Sequence, residues 1–137
     1  MEAGIFKAIF AAIGGVLAYL FGPWDALIGV LLAFVVTDYI TGLMKGASQG
    51  KLDSAVGFRG LAKKVMIFAL VAVGSLLDKV LPAANNAIRA AVCMFYIANE
   101  GLSILENAGA LGLPLPQVLK KWLVKLKEAG DENVESK

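Results

Sequence analysis

The sequence predicts an all-α integral membrane protein: four transmembrane helices followed by a C-terminal amphipathic surface helix. Three observations carry that fold class. Hydrophobic residues fill 58% of the 137 positions, above the roughly 45–50% apolar share of soluble domains. Charged residues make up only 18% and stand in clusters instead of lining helix faces. Four apolar segments of near-spanning length follow one another between short polar or helix-breaking stretches. The mean hydropathy of +0.73 agrees, and the length suits one domain without room for two cores.

The first segment runs from Ile5 to Phe21, with Lys7 near its start. It is borderline in length for a crossing and could instead lie partly in the interface. Lys7 before an apolar run imitates a signal peptide, but Glu2 weakens the n-region and "YLFGPW" offers no small-x-small cleavage site, so the segment is expected to be retained. Gly22-Pro23-Trp24 ends it, because proline cannot continue the hydrogen-bond ladder and glycine permits a tight turn. The second segment extends from about Asp25 to Met44, and the basic, glycine-rich "KGASQGKLDSAVGFRG" follows. The third is Leu61 to Leu81, closed by "PAANNA"; the fourth is Ile88 to Leu105. At 1.5 Å per residue a span needs about 20 residues, which the second and third meet and the fourth meets despite its polar residues.

Beyond the spans, "GALGLPLPQVLKKWLVKLKEAG" places Leu115, Val118, Leu119, Trp122, Leu123 and Leu126 at helical spacing, with Lys120, Lys121 and Lys127 on the other side. Trp122 with Lys120, Lys121, Lys125 and Lys127 suits the boundary with an anionic leaflet. The alternative is a basic helix packed on a soluble partner. The domain reading is therefore a transmembrane region over 1–112, an amphipathic basic helix over 113–128, and a charged, disordered tail over 129–137.

Basic residues in short loops set orientation. With four crossings and a cytoplasmic N-terminus, Lys7, Lys45, Lys51, Arg59, Lys63, Lys64 and the five C-terminal lysines fall inside, and only Lys79 and Arg89 outside. Both termini are expected in the cytoplasm. If the first segment lies flat, only the side of the N-terminus is left open.

Several chemistries are excluded by residue type. The chain has no histidine, so neither Ser75 nor Ser103 can belong to a Ser-His-Asp site. The single cysteine, Cys93, rules out an intrachain disulfide or multi-cysteine metal site and reads as a small buried hydrophobe. No glycine-rich stretch has a phosphate-cradling pattern, and the net charge of +2 is too small to argue for nucleic acid. Neither an enzyme nor a cofactor is expected.

What remains is polarity inside apolar helices. Arg89, Cys93, Tyr96, Glu100, Ser103 and Asn107 recur at alternating spacings of four and three, which puts them on one helical face along the fourth span. A central charge costs on the order of 2.5–3.5 kcal/mol on insertion scales. Such a stripe either lines water in an oligomeric opening or pairs with other helices inside a closed bundle. The first reading is preferred here. Asp38, in "DYITGLMKG", lies roughly 10 Å of helix inward from Lys45. Asp38 and Glu100 are expected to meet Lys63, Lys64 or Arg59 at the inner-leaflet level. Small residues also mark faces: Ala8, Ala11, Gly15, Ala18 and Gly22 in the first segment, Ala26, Gly29, Ala33, Thr37 and Thr41 in the second. Gly15, Gly22, Gly29 and Ala33 are the candidate packing positions, within one subunit or between subunits.

The series "DYITGLMKG", "KLDSAVGFRGLAKKV", Asp78 in "LLDKVL" and "FYIANEGLSILENAGALGLPLPQVLKKWLVKLK" resembles the toxin-secretion/phage-lysis holin family over about Ala26 to Lys127. The resemblance implies a small phage or prophage protein of a bacterial inner membrane. Such a protein oligomerises and opens a lesion that releases a cytoplasmic endolysin, or in some relatives a toxin without a signal peptide. Asp38, Thr41, Gly42, Ser54, Gly57, Gly60, Lys64, Glu100, Ser103, Glu106, Gly112 and Pro116 match the family motif and carry over as structural or assembly residues, since the family has no catalytic set. The rival readings are a small proton- or cation-coupled exporter using Glu100, and an antiholin or membrane scaffold.

Overall fold

A computed structural model describes residues 1–135. Five helices form: α1 Glu2–Phe21, α2 Ala26–Ser48, α3 Ser54–Val80, α4 Ala87–Ala110 and α5 Gln117–Glu135, with a 3-10 turn at Pro82–Ala84. The first four are long and apolar enough to cross a membrane, α1 included, and no strand occurs among the described residues.

Local chemistry explains the boundaries. Gly22, with φ 81°, takes a conformation that side chains rarely adopt, and it ends α1. Asp25 caps α2 by accepting from the Ile28 amide at 3.2 Å. Asp53 accepts from Ala55 N at 2.9 Å, so α3 starts at Ser54 and takes in much of the polar connection expected between spans. Asn85 and Asn86 have φ of 51° and 62°, the left-handed region that asparagine tolerates best after glycine. They reverse the chain into α4, whose first amides are satisfied from outside the helix. The Asp78 carboxylate of α3 accepts from Ile88 N at 3.1 Å and Arg89 N at 2.9 Å.

The core lies where α2, α3 and α4 meet. It is made of Ile28, Leu31 and Val35 from α2, Ile67 and Val71 from α3, and Cys93 and Ile97 from α4. A Cβ on Gly74 would stand 3.3 Å from Arg89 Cα, so glycine is what lets α3 and α4 approach. α1 packs mainly on α3 and buries no residue of its own. Its ties to α3 are an edge-to-face contact of Phe21 with Phe68 at 6.5 Å and Lys79 over the Tyr19 ring, with Lys79 Nζ also donating to Tyr19 O.

The C-terminal third departs from expectation. α5 does not end at 128: it continues to Glu135, so residues 129–135 are helical where a disordered tail was expected. Residues 136 and 137 lie outside the described residues. Packing accompanies the helix as far as Gly130. α5 folds back antiparallel along α4, with Leu115 on Gly109, Leu123 on Gly101 and Gly130 against Ala91 O and Phe95 N.

Candidate functional site

The four spans bury two polar networks, one near each end of α4. In the first, Lys64 of α3 reaches between two carboxylates. Its Nζ lies 2.5 Å from Asp38 Oδ2 on α2 and 2.7 Å from Glu100 Oε2 on α4. The side chains are 17%, 10% and 5% exposed, respectively. Asn107 Nδ2 donates to Asp38 Oδ1 at 3.0 Å and to Thr41 Oγ1 at 2.9 Å, which occupies the carboxylate oxygen that Lys64 leaves free. Tyr39 OH donates to Gly57 O at 3.3 Å beside it and fastens α2 to α3.

Helix phase selects Lys64 from the three expected cations. Position 64 shares a face with the buried Ile67, Val71, Gly74, Ser75 and Asp78. Lys63 and Arg59 are exposed and join no ion pair among the described residues. A crevice of about 350 Å³ opens onto the network between α2, α3 and α4, lined by Gly42, Lys51, Asp53, Ser103 and Glu106 among others.

The second network was not foreseen. Arg89 Nη1 and Nη2 donate to Asp25 at 2.8 and 3.1 Å, Nε to Phe21 O at 2.6 Å, and Nη2 to Pro23 O at 2.9 Å. One guanidinium thereby clamps the whole α1–α2 turn, a planar donor fork meeting three acceptor groups. A Cβ on Gly22 would stand 2.7 Å from Arg89 Nε, so any other residue there would displace the guanidinium as well as strain the backbone. The Arg89 hydrogen bond holds the Asp25 carboxyl below its ordinary value, against a smaller opposing push from burial. The sequence signal that could have revealed the pair is an acid at a helix start beside an unmatched arginine at the same membrane face.

The α4 stripe faces inward in a single chain and is engaged there. Arg89 holds the turn, Cys93 is fully buried, and Tyr96 packs on the core. Glu100 meets Lys64, Ser103 donates to Asn99 O at 3.1 Å, and Asn107 holds Asp38. The helices therefore leave no buried polar side-chain atom unpartnered among the described residues. This is the closed-bundle arrangement, the less preferred of the two environments weighed for the stripe. Of the packing positions, Gly22 is in close contact with Arg89; Gly15 and Gly29 face open space, and Ala33 is exposed. On α5, Lys120, Lys121, Trp122 and Lys125 are exposed, with Lys125 4.9 Å over the Trp122 ring. Lys127 turns inward to sit 5.3 Å over the Phe95 ring of α4.

A model of the bacteriophage holin family matches residues 15–128, which takes in both networks and most of α5. The chain belongs to that family. This holin-family chain is 34% identical to a probable holin of Bacillus phage phi105 over 118 residues, covering 86% of each chain. It is 43% identical over 129 residues to an uncharacterized protein of Listeria innocua, covering 93% of this chain and 91% of that one. An uncharacterized 14.9 kDa protein of Clostridium perfringens is 41% identical over 115 residues, covering 84% of this chain and 87% of its own length. No solved structure matches.

Proposed function

We propose that the chain is a holin: it accumulates in the bacterial cytoplasmic membrane, associates with copies of itself and opens a lesion. Through that lesion a cell-wall hydrolase, or a toxin without a signal peptide, leaves the cytoplasm. The family match across 15–128, together with the probable phage holin at 34% identity, carries the reading. Four spans in 137 residues and a surface of exposed apolar side chains support it. The lysine and arginine distribution supports cytoplasmic termini, and Trp122 with the exposed lysines of α5 suits contact with the inner leaflet. Small faces at Gly15 and Gly29, where an added Cβ would meet nothing, and at the exposed Ala33 are suited to contacts between subunits. A carrier role for Glu100 gains nothing from the geometry, because Lys64 already occupies that carboxylate.

Inducible expression in a bacterial host tests the reading. Growth should stop abruptly, with collapse of membrane potential, and co-expressed hydrolase should then lyse the cells. A chain that inserts to high level while potential and viability stay unchanged would sink it.

A further inference from the structure

α5 is placed where its composition does not belong. It runs antiparallel to α4 in a steady register, from Leu123 at Gly101 through Lys127 at Phe95 to Gly130 at Ala91, after the linker's Leu115 at Gly109. Its 19 residues make about 28 Å of helix, close to the thickness of a bilayer core. Yet α5 is not among the helices apolar enough to cross.

Its inner side fits closely. A Cβ on Gly101 would stand 2.7 Å from Leu123 Cδ2, and a Cβ on Gly130 would stand 3.1 Å from Ala91 O. Leu126 packs against the cluster that holds Cys93 and Ile97. Its outer side is the reverse: Gln117, Lys120, Lys121, Lys125 and Glu128 recur one helical turn apart and line an open groove with Val124, about 540 Å³ in volume. That seam runs for about 16 Å along the helix. Charges at this depth are costly against acyl chains and acceptable against water. α4 cannot supply a wetted face without breaking its own pairings, since its stripe is engaged by α2, α3 and the α1–α2 turn.

We infer that α5 docked along α4 forms the wall of the open lesion, with the Gln117–Lys120–Lys121–Lys125–Glu128 seam facing an aqueous lumen. The inference rests on the holin reading and specifies which surface meets water. It requires a second, closed arrangement in which α5 leaves α4 for the leaflet, so that opening is its return onto α4 about the linker 111–116. Gly112, with φ 92°, and Pro114 and Pro116 shape that linker. The spans keep their ion pairs throughout. Three lysines against one glutamate make the seam basic, so small anions should pass it more readily than small cations.

Two measurements test this on the full chain, in vesicles and planar bilayers of phosphatidylethanolamine and phosphatidylglycerol. In a Cys93→Ser background, Gly101→Cys with Leu123→Cys permits a disulfide that holds α5 docked. The oxidised protein should release entrapped dye at a several-fold lower protein-to-lipid ratio than the same protein kept reduced. Oxidised vesicles that stay tight while reduced ones leak would overturn the inference, because α5 would then have to leave α4 to open the lesion. Separately, in about 10 mM salt, where charges act over about 30 Å, Lys121→Glu with Lys125→Glu should move the chloride-to-potassium permeability ratio from above one to below one. An unchanged ratio overturns the inference by a route independent of the disulfide. If the Cys93→Ser parent inserts but never releases dye, the lesion and this wall fall together. If the parent leaks and either variant fails to behave as expected, equal leakage from oxidised and reduced vesicles included, the wall alone falls.

Discussion

Two stripes of polar residues run along neighbouring helices, and the structure treats them oppositely. On α4, Arg89 is held by the α1–α2 turn, Glu100 by α3 and Asn107 by α2. On α5, Lys120, Lys121, Lys125 and Glu128 point outward into an open groove. The spacing rule is the same in both, so periodicity alone says nothing about what a stripe meets. Partners decide that: the α4 stripe cross-links a closed bundle, while the α5 stripe has its polar side free for water or headgroups.

The contrast can be broken most severely at Lys64. Lys64→Ala leaves Asp38 and Glu100 facing one another without a cation, a loss of about 3–5 kcal/mol for one member of a buried pair. The protein recovered from membranes should fall sharply; normal yield and normal thermal unfolding in detergent would mean that the α4 stripe is no more structural than that of α5. Next in size, Asp38→Ala should reduce assembled protein more than Asp25→Ala, because the Asp38 side chain is 10% exposed and that of Asp25 38%. Equal losses would place the two networks on the same footing. Gly74→Ala sharpens the packing side of the comparison. The new methyl at 3.3 Å from Arg89 Cα and Val92 Cγ2 should push α3 from α4 at a cost of about 1–3 kcal/mol, read as a lower unfolding midpoint.

A smaller effect concerns acid. Arg89 holds the Asp25 carboxyl below its ordinary value of 3.8. A carboxyl depressed in this way contributes stability above its unfolded value, and that contribution disappears as pH falls through the folded one. The unfolding midpoint should therefore decline on acidification below pH 3.8, and Asp25→Asn should flatten the decline in that window. An identical profile for the variant would show that Arg89 does not favour the charged acid. Smallest of all, Lys63→Ala should change stability by no more than about 0.5 kcal/mol, since Lys63 is exposed beside the buried Lys64. A larger change would undo the distinction drawn from helix phase.

The spans were legible because lipid admits so few solutions. Apolar length and breakers such as Gly22-Pro23 and Pro82 located all four, with boundaries that moved where Asp53 started α3 early. Asp38, Lys64 and Glu100 were legible as ionisable groups in apolar surroundings, although three candidate cations lay within six residues. The buried face through Ile67 and Val71 would have chosen Lys64. Asp25 with Arg89 was missed because the two stand 64 positions apart and Asp25 lies in a turn, where a carboxylate looks ordinary. The docking of α5 was not legible. A helix with one oily side reads alike whether a leaflet or another helix covers that side, and only tertiary contact separates the two.

α1 remains at the edge of all this. It buries no residue, a Cβ added at Gly4, Gly14 or Gly15 would meet nothing within 4 Å, and the family match begins only at residue 15. Its leading half is thus a natural handle: a fluorophore or affinity label attached there would ride on the protein without disturbing the ion-paired interior. Light or pulldown signals from such a label would follow the gathering of subunits in living cells.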